Sequence, residues 1–279
     1  MTAAPTAAVD VWAPLARVRA SAPLVQNITN YVVMNTTANA LLAAGASPAM
    51  VHALEEVEDF VAISRALVVN IGTLSPHWVD AMELAVARAR AAGVPWVLDP
   101  VGAGATRYRT ETAALLARAR PAVVRGNASE VLVLANQVTA GGPGGAAGKG
   151  VDSAHATDAV LGPARALARA TGALVAMTGA TDYVTDGARV VAVRNGHPMM
   201  ARVTGLGCTA SALVGAFLGA SEAAERFDAT VAALAVLGVA GEVAAAQSPG
   251  PGSLQLHLLD ALYTLDAATL AARARVEEV

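Results

Sequence analysis

Short apolar runs that alternate with helical stretches constrain this chain more than any other feature. Leu67-Val68-Val69-Asn70-Ile71 ends at Gly72, and Ser75-Pro76 then offers an N-cap and a first-turn proline for a helix running through Arg90. Residues 94–98 form the next strand, Thr110 opens a second helix, Ala122-Val123-Val124 is a third strand, Ser129 starts a further helix, and residues 174–177 are a fourth strand. Strands separated by helices need right-handed crossovers, so the sequence predicts an α/β fold with a mainly parallel central sheet and helices on both faces. Ligands of such folds gather at the carboxyl ends of the strands. Tyr183-Val184-Thr185 and Val190-Val191-Ala192-Val193 flank Asp186-Gly187, which predicts a β-hairpin appended to the helical layers. The C-terminal third reads as almost entirely helical.

Of the 279 residues, 55% are hydrophobic and 15% charged, enough to bury a large core, and no charge run or clear linker divides residues 1–279, so one domain is expected. A net charge of -3 with no basic run argues against nucleic-acid binding, which depends on Lys and Arg neutralising many phosphates. The lone Cys208 cannot form an internal disulfide and fits a reducing cytoplasm, while Asp10, Arg17 and Arg19 interrupt any signal-peptide apolar region. Residues 203–221 open on glycines and are rich in small side chains, and residues 229–241 fall short of the roughly 20 needed to cross a bilayer, so no membrane span is expected. Residues 139–150 read as a Gly-rich surface loop. Its Gly148-Lys149 is no phosphate loop of the Walker type, because Pro143 occupies the first glycine position and Gly150 replaces the metal-holding Ser or Thr. Gly102-Ala103-Gly104 fails as a dinucleotide fingerprint, since Arg107 stands where the third glycine is needed. The five histidines are too scattered for a metal motif.

The chemistry concentrates at Thr204-Gly205-Leu206-Gly207-Cys208-Thr209-Ala210-Ser211, where two glycines lead into a helix of small residues. A helix start presents unpaired N–H groups and the positive end of the dipole, and glycines let an anion come close. A tight turn before a buried helix would look the same. What favours phosphate is the company of Asp99-Pro100-Val101-Gly102-Ala103-Gly104 and Arg125-Gly126-Asn127-Ala128-Ser129-Glu130, both just after strands. Cys208 as a hydrolase nucleophile lacks any surrounding family signature.

Together with Gln26-Asn27-Ile28-Thr29-Asn30, Gly45-Ala46-Ser47-Pro48-Ala49-Met50 and Gly150-Val151-Asp152-Ser153, these segments resemble the hydroxyethylthiazole kinase family of the ribokinase-like superfamily. The resemblance runs in order from about Pro23 through the C-terminal helices. Leu206 departs from the family's usual Thr, which matters little where backbone N–H groups bind the anion. The resemblance implies ATP-dependent, Mg²⁺-requiring phosphorylation of the primary alcohol of 4-methyl-5-(2-hydroxyethyl)thiazole in thiamine biosynthesis and salvage. It also implies a homotrimer with interfacial active sites.

Residue by residue, the same resemblance implies that Gly205, Gly207 and Cys208 form the catalytic anion hole, with Gly205 also near the substrate. Cys208 stands where many ribokinase-like enzymes place a proton-accepting Asp, and a thiol at a helix start can have a lowered pKa. Asp99 and Glu130 would organise Mg²⁺, or else cap helices or sit as surface charges. Arg125 would contact the phosphates of ATP, or form a structural salt bridge; Thr178 and Asn127 are further ATP-binding candidates. Met50 and Asn27 would meet the thiazole, or be a core side chain and a turn former. Two other enzyme classes share parts of the pattern. Hydroxymethylpyrimidine kinases carry a similar Gly-x-Gly-Cys loop without the segment at residues 26–30, and the dehydratases that repair hydrated nicotinamide nucleotides expect Asp at position 208. A noncatalytic binding module would bind both ligands without turnover.

Overall fold

The computed structural model describes residues 9–139 and 156–279. Six parallel strands, β1 (Leu24–Ile28), β2 (Ser47–Ala49), β3 (Ala66–Asn70), β4 (Trp96–Asp99), β5 (Val123–Asn127) and β6 (Leu174–Thr178), continue into antiparallel β7 (Asp182–Thr185), β8 (Val190–Val193) and β9 (Val276–Glu278). They form one sheet in the order β2-β1-β3-β4-β5-β6-β7-β8-β9. One face carries α1 (Trp12–Ser21) and α2 (Met34–Ala44). The opposite face carries α3 (Val57–Ile63), α4 (Pro76–Ala92), α5 (Arg107–Arg118), α6 (Ala128–Thr139) and α7 (Ala156–Thr171). The remaining helices, α8 (Leu206–Gly219), α9 (Arg226–Ala245), α10 (Pro251–Thr264) and α11 (Ala267–Arg273), return to the first face.

Strand β3 shows why the central strands read as unbroken apolar runs. Ala66 and Val68 point into the core beneath α8, Leu67 and Val69 into the core beneath α4, and all four are buried. A parallel strand covered on both faces has no solvent side to mark with polar residues. Each such Leu or Val contributes roughly 1.5–3 kcal/mol of burial. Helix α8 comes unusually close, because Gly215 faces the sheet where a Cβ would lie 2.6 Å from Val68 Cγ2. The stretch 223–245 is long and apolar enough to cross a membrane, with mean hydropathy 1.6, but 78% of its most apolar window is buried in the protein. It is a core helix, packed between α8 and α10.

Several sequence expectations shift in detail. Helix α4 starts as expected, with Ser75 Oγ accepting from Trp78 N–H and Pro76 in the first turn. Helix α5 begins at Arg107 rather than Thr110, because Thr106 accepts from Arg109 N–H and is the cap. Thr110 instead accepts from Gly104 N–H and fastens the preceding loop. Helix α6 starts at Ala128, one residue early, under the Asn127 cap. Strand β4 covers residues 96–99, so Val94 and Pro95 belong to its approach. The β7–β8 hairpin around Asp186-Gly187 is no appendage to the helices but extends the main sheet, and β9 joins its far edge from the C-terminal third expected to be helical. The Gly-rich stretch from residue 140, with Gly150-Val151-Asp152-Ser153 and His155, lies outside the described residues.

Candidate active site

Parallel strands deliver their last residues to one edge of the sheet. Asn30 follows β1, Met50 follows β2, and Asn70, Asp99, Asn127 and Thr178 end β3, β4, β5 and β6, with Asn70 opposite Asp99 and Asn127 opposite Thr178 in register. Of the predicted residues the edge gathers Asp99, Arg125, Asn127 and Thr178 without any long excursion, and it adds Asn30 and Asn70. Among the described residues, those from positions 30, 70, 99, 125, 178 and 208 join in one polar chain.

Asp99 is its centre, fully buried, with Oδ2 accepting from Asn70 Nδ2 at 2.7 Å and Ser211 Oγ at 2.8 Å. Its Oδ1 lies 3.8 Å from Arg125 Nη1 and has no hydrogen-bond partner. Burial pushes the carboxyl up to about 6, against the pull of Arg125 and the Ser211 and Asn70 bonds, with the charge of Glu130 adding to the rise. Asn70 Oδ1 accepts from Asn30 Nδ2 at 3.0 Å, and the same amide reaches Cys208 Sγ at 3.4 Å. Thus Asp99 and Cys208 are linked through two asparagines.

The start of α8 faces this chain. Gly205 is its cap with φ 84°, a left-handed conformation that suits glycine, and a Cβ there would lie 2.7 Å from Val33 Cγ1. At Gly207 a Cβ would lie 2.8 Å from Arg125 Nη1, so the guanidinium is laid directly over the first turn of the helix. Arg125 also donates to Thr178 Oγ1. The arrangement combines unpaired helix N–H groups, a helix dipole and a guanidinium, three devices that favour an anion. Cys208 departs from the expectation of a lowered pKa. Burial, then the charge of Asp99, drives its thiol up to about 11, which outweighs the helix terminus and keeps the sulfur protonated at neutral pH.

Beside this turn opens a cavity of about 720 Å³, bounded by Thr178, Gly179 and Asp182, by the segment from Asn195 to Ala201, by Gly205 to Gly207, and by Leu234, Leu237 and Gly238 of α9. Arg125 and Gly207 line it together with the apolar side chains of Leu234 and Leu237. Its size is that of a site for a small ligand. A smaller cavity of about 460 Å³ at the amino ends of β4, β5 and β6, near Arg90, Arg120 and Arg169, meets none of these residues.

The other predicted residues take more specific places. Glu130 accepts from Gly102 N–H at 2.8 Å and Asn127 N–H at 2.9 Å, using both oxygens to tie the β4–α5 loop to the start of α6. Asn127 Oδ1 accepts from Ser129 Oγ and Glu130 N–H, completing a reciprocal cap. Asn27 turns back on its own strand, its Nδ2 donating to Val25 O at 2.9 Å, fully buried and away from the cavity. Met50 is half-buried on the far side of the sheet edge, and the buried Gln26 holds the segment after it by donating to Val51 O and Val57 O. Next to that segment Tyr31, His52 and Trp78 pack ring on ring, with His52 4.5 Å and Tyr31 5.0 Å from Trp78. Asn70, Ser211 and Asp182 were not singled out in the sequence. A terminal Asn in an otherwise apolar strand and a Ser one turn after Cys208 were the available signals.

A model of the Hydroxyethylthiazole kinase family matches residues 15–268. The chain belongs to this family. It is 57% identical over 261 residues to a hydroxyethylthiazole kinase of Granulibacter bethesdensis, covering 94% of this chain and 92% of that one, and 52% identical over 268 residues to one of Syntrophus aciditrophicus, covering 96% of each. Among solved structures, the hydroxyethylthiazole kinase protein from Pyrococcus horikoshii OT3 superposes with a TM-score of 0.88 at 42% identity, covering 96% of this chain and 98% of that one. The pyridoxal kinase of Staphylococcus aureus in complex with ADP shares the ribokinase-like fold, with a TM-score of 0.62 at 15% identity, covering 92% and 99%. The chain is therefore a kinase of the ribokinase-like fold.

Proposed function

We propose that this kinase transfers the γ-phosphoryl group of ATP to the primary hydroxyl of 4-methyl-5-(2-hydroxyethyl)thiazole, giving ADP and the thiazole phosphate in thiamine biosynthesis and salvage. The observation that carries the reading is Arg125 lying over Gly207 at the start of α8, where the helix meets a cavity of about 720 Å³. ATP fills this cavity with its base against the apolar wall at Leu234 and Leu237 and its phosphates at Arg125 and Thr178. The N–H groups from Gly205 to Cys208 receive the transferring phosphoryl group. The alcohol approaches from the opposite side, past Asn30, with its ring toward Met50 and the Tyr31, His52 and Trp78 cluster.

The bond between the alcohol oxygen and the γ-phosphorus forms as the bond from that phosphorus to the bridging β-phosphate oxygen breaks. A loose transition state asks mainly for alignment and charge stabilisation. The hydroxyl proton leaves late, to an oxygen of the transferred phosphoryl group and from there to water, so Cys208 serves as a neutral thiol that hydrogen-bonds and packs. Mg²⁺ fits the residues present in a limited way: Asp99 Oδ1 is a buried carboxylate oxygen without a hydrogen-bond partner, whereas both oxygens of Glu130 already accept from N–H groups. Among the described residues no group of three or more His, Cys, Asp or Glu is placed to hold a metal ion. Asp99 would hold it, with Glu130 fixing the adjoining loops, and the bound ion would neutralise charge on the phosphates.

A homotrimer with active sites at its interfaces and a cytoplasmic location complete the reading, and a single domain carries the activity. The test is ADP release coupled to a dehydrogenase reporter, with the thiazole alcohol and 4-amino-5-hydroxymethyl-2-methylpyrimidine compared side by side. The thiazole alcohol should give the higher kcat/KM. Preference for the pyrimidine, or ADP release no faster than without alcohol, would reject the assignment.

A further inference from the structure

One wall of the cavity that Arg125 lines is held by residues outside the turn at Gly205 to Cys208. The segment from Asn195 to Ala201 forms that wall and rests on α9 at two glycines: a Cβ on Gly238 would lie 2.6 Å from Asn195 Cβ, and one on Gly241 would overlap the Met200 sulfur. Between these contacts and the solvent stands Glu242, whose side chain is 13% exposed. Its Oε1 accepts from Gly196 N–H at 2.9 Å, Asn195 Nδ2 at 3.1 Å and Arg275 Nη2 at 2.6 Å. The C-terminal segment closes the arrangement from outside. Asn195 Nδ2 also donates to Arg273 O at 2.8 Å, and Asn195 Oδ1 accepts from Arg275 N–H at 2.7 Å. The Arg275 guanidinium reaches Arg194 O at 2.7 Å, and β9 pairs with β8 immediately before the wall.

Asn195 therefore lines the cavity with its amide fully committed elsewhere. Both Nδ2 protons are donated within the clamp and Oδ1 accepts from Arg275 N–H, so the amide has no donor left for a ligand and acts by fixing the backbone that follows. Gly196 has φ 133°, a conformation that suits glycine, and its N–H is held by Glu242. Charge-assisted bonds converging on one carboxylate are the stronger kind, and here they join α9, the wall and the chain end. The family model ends at residue 268, whereas Arg273, Arg275 and β9 follow it.

We propose that Glu242 and Arg275 are positioning residues that set nucleotide affinity, using the segment after α11 to hold the Asn195–Ala201 wall in its binding shape. The proposal rests on the reading of this cavity as the ATP site. A mispositioned wall changes the shape of the nucleotide cavity that it closes with Leu234 and Leu237 and leaves the phosphoryl-transfer turn untouched, so KM for ATP should respond and kcat should not. The test is steady-state kinetics of Arg275→Ala, Arg275→Lys and Glu242→Gln, with thermal melting in parallel and Arg125→Ala as the reference for the cavity. Arg275→Ala and Glu242→Gln should raise KM for ATP about three- to tenfold, with kcat and KM for the alcohol within twofold of wild type. Glu242→Gln keeps a carbonyl acceptor at the Oε1 position but removes the charge that strengthens all three bonds and turns an NH2 donor toward the Arg275 guanidinium, and Arg275→Lys should recover part of the loss. Unchanged KM for ATP in both, while Arg125→Ala impairs ATP use, would overturn the clamp alone. Parallel change in kcat and both KM values with a lowered Tm would reduce it to general stability and also overturn it. If Arg125→Ala leaves ATP use unaffected, the cavity reading falls and the clamp with it.

Discussion

Cys208 and Asp99 face each other through Asn30 and Asn70, and burial acts on both in the same direction, holding a proton on each more firmly than water would. A thiol pushed to about 11 is no base at neutral pH. Cys208→Ala should then lower kcat only about tenfold, less than the 10²–10⁴ of a true general base, and the wild-type rate should show no thiolate limb between pH 7 and 9. Cys208→Asp should keep or raise activity by placing a carboxylate beside Asn30. A folded Cys208→Ala protein with no turnover would contradict this. For Asp99 the sign follows from proton counting. With its folded pKa raised from 3.8 to about 6, the folded chain holds a proton that the unfolded chain has lost, so this group's contribution to stability falls as pH rises across that window and stays low above it. Asp99→Asn keeps an acceptor for Asn70 and Ser211 and removes the buried charge. Its melting temperature should match wild type near pH 4 and exceed it near pH 8, by on the order of 1–3 kcal/mol in stability, while turnover drops severely. Chemical denaturation at the two pH values checks this; equal stability difference at both would refute the buried-charge account.

Helix α8 joins the proposed phosphoryl-binding turn to the core within one element: Gly207 in its first turn meets Arg125, and eight residues on Gly215 lies against Val68 with no room for a side chain. Gly215→Leu must push the helix off β3 and should cost about 3 kcal/mol or more, read as a lower denaturation midpoint, with activity lost in proportion to unfolding. Elements of this kind were legible in the sequence because their signals are local. Ser75-Pro76 marked the start of α4, and the apolar runs marked β3 to β6. The start of α5 was misplaced since Thr106 and Thr110 offer the same side chain, and only the turn geometry decides which caps. Strands β1, β2 and β9 carried weak local signals. β1 buries Gln26 and Asn27 within it, β2 has three residues with a proline, and β9 contains two glutamates that pair with β8 at an edge.

Over the whole molecule, the carboxyl edge of the sheet was the most legible part of the site, because strand ends, glycines and acidic residues all appear in the sequence at their turns. The Asn70–Asp99–Ser211 links and the Glu242 clamp were not, since they join residues up to 112 positions apart through side chains common in any protein. The direction of Asn27 was hidden for a related reason: sequence shows a polar residue in a motif and says nothing of which way it turns, here toward its own strand at Val25 O. The site also extends toward surface. Tyr31 of the ring cluster and the adjacent Val32 are 63% and 68% exposed, an apolar area suited to cover by another subunit. Mass measurement in solution should return three times 27.9 kDa, and a fully active monomer would exclude the shared site.

The central claim is that the start of α8 lies between two separate subsites, ATP on the Arg125 side and the alcohol on the Met50 side. The most direct measurement is the pair of KM values for ATP and the thiazole alcohol in Arg125→Ala and Met50→Ala. Arg125→Ala should lose on the order of 1.5–3 kcal/mol in kcat/KM for ATP with the alcohol's KM little changed. Met50→Ala should raise KM for the alcohol and leave that for ATP unchanged. Both substitutions acting on the alcohol alone, or both equally on ATP and alcohol, would contradict the division.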